Sequence, residues 1–81
     1  MVEVAKLSDF EEVAARNARH RALILKILND FPLGLTVQQI VEKELVYFGY
    51  TFLTDNRLRE LKKFGWAESF GEKPQKWRIV R

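Results

Sequence analysis

The groups able to do chemistry are gathered in the last third of the chain. Residues 54–81 carry eight bases (Arg57, Arg59, Lys62, Lys63, Lys73, Lys76, Arg78 and Arg81) against four acids, Asp55, Glu60, Glu68 and Glu72. Residues 1–31 hold five of each sign, and residues 32–53 hold Lys43 against Glu42 and Glu44. The net charge of +3 is therefore a C-terminal excess. A field segregated in this way favours a polyanionic partner, although the same cations would also serve as a solvated face.

Other chemistries find little material. With no cysteine there is no disulfide framework, zinc finger or thiol nucleophile. His20 is the single histidine and has no second ligand candidate beside it, so no metal site is expected. Paired carboxylates, a Ser/His/Asp set and a Gly-rich phosphate loop are all missing, which argues against an enzyme and against a cofactor. No residue argues for a small-molecule ligand.

These cations must be positioned by a small scaffold. Eighty-one residues, 47% of them hydrophobic, suit one domain. The mean hydropathy is −0.24. The longest mostly apolar run, Ala22 to Leu28, is interrupted by Lys26 and too short to span a bilayer. The N-terminal residues Met1 to Val4 lack a basic stretch or a hydrophobic signal core, so no membrane partner and a cytoplasmic location are expected.

Local patterning predicts the elements. Ser8-Asp9-Phe10-Glu11 reads as a capping box, followed by apolar residues at helical spacing (Phe10, Val13, Ala14, Ile24, Ile27, Leu28, Phe31). That stretch is one long helix or two helices broken near Asn17, and Phe31-Pro32-Leu33-Gly34 ends it. A second box, Thr36-Val37-Gln38-Gln39, opens an amphipathic helix with Val37, Ile40, Val41, Leu45 and Phe48 on its apolar face, stopped by Gly49. A third helix begins at Thr51 or Thr54, turns Leu58 and Leu61 inward, and ends with Lys62 and Lys63 before Gly65. The period then changes to two. Trp66 to Phe70 and Lys76 to Val80 read as strands joined by Gly71 to Gln75, a hairpin with a loop of about five residues. Trp66 and Trp77 are expected in the core, packing the hairpin on the helices.

In this order of elements the chain resembles the winged helix-turn-helix superfamily of small bacterial and archaeal transcription regulators. Arg21 to Leu28 resembles its first helix, and Gly34 to Ile40 the entry to its second. Leu58-Arg59-Glu60-Leu61-Lys62-Lys63-Phe64-Gly65-Trp66 resembles the end of a recognition helix running into a wing, and Trp77-Arg78-Ile79 the returning wing strand. The likeness covers residues 20–81, although Leu45 to Leu53 is longer and more aromatic than the usual turn.

The resemblance implies an α+β, mostly α fold: a three-helix winged helix-turn-helix with a C-terminal two-stranded β-hairpin wing and an N-terminal helical extension, residues 1–19. It also implies a sequence-specific double-stranded DNA-binding transcription regulator, with helix 51–64 in the major groove and wing 66–81 on the backbone or minor groove. The presented face would hold Asp55, Asn56, Arg59 and Lys63, with Arg57 and Lys62 on its flanks; Asn56 would pair with adenine, and Arg57 or Arg59 with guanine. Thr51 and Thr54 would donate to phosphate, and the wing residues Lys73, Gln75, Lys76 and Arg78 would meet the backbone. Within the extension, Phe10, Val13, Ala14 and Ala18 form an apolar stripe that either pairs two chains into a homodimer or folds back over its own core. Two alternatives stay open: a winged-helix protein-interaction or assembly module using the apolar 45–53 segment, and an RNA-binding module.

Overall fold

From residue 2 to residue 29 no glycine or proline interrupts the chain, and the structure, a computed structural model, carries it as one helix, α1 (Val2–Asn29). The structure describes residues 2–48 and 53–81, with side chains for 10–46 and 53–81. At 1.5 Å per residue α1 is about 42 Å long, which gives the molecule its longest extent of 50 Å. There is no break at Asn17, and Ser8 lies inside the helix, so the box at Ser8 does not start it. Residues 2–19 are thus a continuation of the first core helix and do not fold back.

The chain leaves α1 through a turn closed by Gly34 N–H donating to the Phe31 carbonyl at 2.9 Å. Gly34 has φ of +96°, and a Cβ there would lie 2.6 Å from Phe70 Cζ, so the turn needs glycine twice over. A two-residue strand, β1 (Leu35–Thr36), follows and runs directly into α2 (Val37–Phe48). The capping box at its start is formed: Gln39 N–H donates to Thr36 Oγ1 at 3.2 Å and Thr36 N–H to Gln39 Oε1 at 2.9 Å.

The third helix, α3 (Thr54–Lys63), begins on Leu53 at its N-cap, with Thr54 already helical. Its end is a Schellman motif around Gly65 (φ +80°), with Gly65 N–H donating to the Lys62 carbonyl and Trp66 N–H to that of Leu61. Strands β2 (Ala67–Phe70) and β3 (Lys76–Ile79) form the hairpin, pairing Ala67 with Ile79 and Phe70 with Lys76. On its other edge β3 pairs with β1, Leu35 opposite Trp77. The sheet therefore has three antiparallel strands in the order β1-β3-β2, one more than the hairpin alone.

Ile24, Ile27 and Leu28 of α1, Leu35, Ile40 of α2, Leu58 and Leu61 of α3, Ala67 and Trp77 make the core. Two expectations fail here. Trp66 is 54% exposed, because strand alternation turns Ala67 inward in its place, and its ring meets Phe64 at 5.3 Å. On α2, Leu45 is exposed and the inward position one turn beyond Ile40 is Glu44, which is fully buried. No helix among the described residues is long and apolar enough to cross a membrane.

Candidate nucleic-acid interface

Burial of Leu58 and Leu61 fixes the rotation of α3 and with it the fate of every other side chain on that helix. Asp55, Asn56, Arg59, Lys62 and Lys63 all come out exposed. Asn56 and Lys63 make no hydrogen bond or ion pair among the described residues, and they stand seven residues apart on one face. Between them, Arg59 holds Asp55 by an i,i+4 bridge, Nη2 to Oδ2 at 2.9 Å, with 73% of the arginine side chain open to solvent. A pair so exposed contributes under about 1 kcal/mol and releases its arginine easily. Lys62 leans toward the hairpin, its Nζ 3.4 Å from Ser69 Oγ on β2.

The wing side meets this face across a groove of about 510 Å³, whose walls include Gln38 at the start of α2, Asp55 of α3, and Lys73 and Gln75 of the hairpin loop. Lys73, Gln75 and Lys76 are exposed. Arg78 is half-buried against its own sheet, donating through Nε to Glu68 Oε1 at 2.8 Å, with its guanidinium 4.1 Å from the centre of the Phe70 ring. Its partner Glu68 sits directly opposite in the ladder, so this is a cross-strand pair that stiffens the hairpin.

Two expected site residues are placed elsewhere. Thr54 is buried and its hydroxyl donates to Glu44 Oε2 at 2.5 Å, so it faces the core and not a phosphate. Arg57 is 8% exposed, and its Nη2 donates to Glu60 Oε2 one turn further along α3 at 2.7 Å. Glu60 also receives Arg21 Nη1 at 2.7 Å, so α1 and α3 are clamped by one carboxylate between two arginines. From these positions Thr54 does not meet a phosphate and Arg57 does not reach a base edge. Thr51 lies outside the described residues.

Sequence reasoning missed a polar cluster beneath the interface. His20 Nε2 lies 2.7 Å from Glu44 Oε1, while Thr54 holds the other carboxylate oxygen. Helical spacing carried the signal: His20 lies four residues before Ile24, and Glu44 four after Ile40.

The N-terminal half of α1 keeps its apolar stripe uncovered in the single chain. Phe10 is 70% exposed, and Val13, Ala14 and Ala18 are exposed as well.

The class defined by these elements is a small, mostly helical α+β domain with a cationic C-terminal hairpin. Set against known protein families, characterised proteins and solved structures, the chain matches none of them.

Proposed function

We propose that the protein binds double-stranded DNA as a transcription regulator, with the outer face of α3 in the major groove and the wing on the adjacent backbone. The observation that carries this reading is the shared groove. The first turn of α3, through Asp55, and the wing loop, through Lys73 and Gln75, border one opening, and Asp55 holds the exposed Arg59 beside it. Asn56 and Arg59 have the side chains that pair bidentately with adenine and guanine edges. Lys62, Lys63, Lys73, Gln75, Lys76 and Arg78 supply phosphate contacts that set register and affinity. The bridges Arg59–Asp55 and Arg78–Glu68 are exposed enough to open on contact with phosphate.

The stripe Phe10, Val13, Ala14 and Ala18 fits a second copy of the same helix. A two-fold pair would bury it isologously and space two reading helices for a palindromic site. A mobility-shift titration on mixed duplexes at low salt tests the reading. Binding with a Kd tighter than about 100 µM is expected, and none at that level removes the proposal.

A protein-contact module is the second reading, favoured by the exposure of Leu45, Val46 and Leu53. Such a contact would change little with salt, whereas DNA binding weakens steeply.

A further inference from the structure

Where α1 passes the start of α3, a pocket of about 240 Å³ opens between Val13, Arg16, Asn17 and His20 on one side and Leu53 and Arg57 on the other. Four of these six side chains carry N–H donors, and no described lining residue is acidic. Arg57 Nε is sealed from solvent and has no acceptor among the described residues. A buried donor in that state has given up water without a replacement, so the guanidinium keeps donor capacity that Glu60 does not take up. Arg16, by contrast, is exposed and makes no ion pair among the described residues. The same opening touches the N-terminus of α3, whose cap position is a leucine with no side-chain oxygen to offer the first-turn amides. Leu53 holds φ at +23°, a left-handed conformation that costs a non-glycine residue and is retained where the surroundings impose it.

We infer that this pocket binds a small aliphatic carboxylate. Its head group lies between Arg16 and Arg57, whose planar guanidinium groups match a carboxylate, and the positive end of α3 adds to the attraction. Its tail rests on Val13 and Leu53. The volume of about 240 Å³ is below that of pockets for drug-sized ligands, which suits a small ligand better than a nucleotide. Glu60 holds Arg57, and Glu44 holds His20, from outside the lining. These two carboxylates fix the donors in place and offset part of the positive charge, so a singly charged ligand suits the site better than a polyphosphate.

The test is an NMR titration of the full chain with isobutyrate, with its neutral isostere isobutyramide, and with sodium chloride at matched ionic strength. Isobutyrate should give saturable shifts centred on Asn17, Leu53 and Arg57, and isobutyramide should bind at least about tenfold more weakly. Arg16→Gln, at an exposed position where folding is not at stake, should weaken isobutyrate about tenfold. Arg19→Gln, the same charge loss on an exposed neighbour outside the pocket, should stay within about twofold. Equal weakening by the two substitutions, equal binding of the amide, or no saturation below roughly 50 mM would overturn the inference. DNA takes no part in the measurement, so its result is independent of the function proposed above.

Discussion

His20 on α1 and Glu44 on α2 meet at 2.7 Å, and the other oxygen of the same buried carboxylate takes the hydroxyl of Thr54 on α3. One side chain with no solvent exposure thus ties together all three helices of the domain. A buried carboxylate is tolerable only with its oxygens satisfied, and here both are.

Removing that carboxylate orphans two partners at once. Glu44→Ala should cost about 3 kcal/mol, from the cavity and from the lost partners of His20 and Thr54. For a domain of this size that lowers Tm by more than about 10 °C. Glu44→Gln keeps the shape and part of the bonding, and should cost less than half as much. Thermal unfolding followed by circular dichroism measures both.

Gly34 sets the approach of Phe70 to the turn after α1. Gly34→Ala places a methyl group 2.6 Å from the Phe70 ring at a φ of +96°. The expected loss is roughly 2–3 kcal/mol, from left-handed backbone strain together with overpacking. Urea unfolding should show the midpoint falling at an unchanged slope.

The elements legible in the sequence were those fixed by neighbours in the chain. The Thr36/Gln39 box, the glycine stop at Gly65 and the five-residue hairpin loop each rest on residues a few positions apart, and each is present. What escaped depends on distant partners. Strand β1 is two residues long and exists because Leu35 and Thr36 find β3 about forty positions later. Glu44 is buried because His20 and Thr54 meet it there. For the candidate site, exposure of Asn56, Arg59 and Lys63 followed from the spacing of Leu58 and Leu61, while the burial of Arg57 required the Glu60–Arg21 clamp to be seen. Ser8 satisfied the capping pattern locally, but the helix had already begun upstream.

Arg57 and Arg59 are two residues apart and should behave oppositely. Arg59→Ala should leave stability within about 0.5 kcal/mol and weaken specific duplex binding by about 1–3 kcal/mol. Arg57→Ala should lower stability, because it strips Glu60 of one arginine, while affinity per folded molecule stays within about twofold. Fluorescence anisotropy beside thermal melts separates the two effects.

Phe10 is open to water in the single chain. If two chains bury it, Phe10→Glu should convert a dimer to a monomer in sedimentation equilibrium at micromolar concentration, with the melting of the 20–81 core little changed. A wild-type chain that is monomeric at every concentration is the result against it.

The most direct test is the salt dependence of duplex binding, measured from about 50 to 200 mM on the intact protein and on Lys73→Gln/Lys76→Gln. Each phosphate contact contributes about −0.9 to the slope of log affinity against log salt. The wild-type chain should therefore show a slope of about −4 or steeper, and the wing variant should lose close to two of it. A flat slope, or a wing variant indistinguishable from wild type, would mean that α3 and the hairpin do not grip the duplex together.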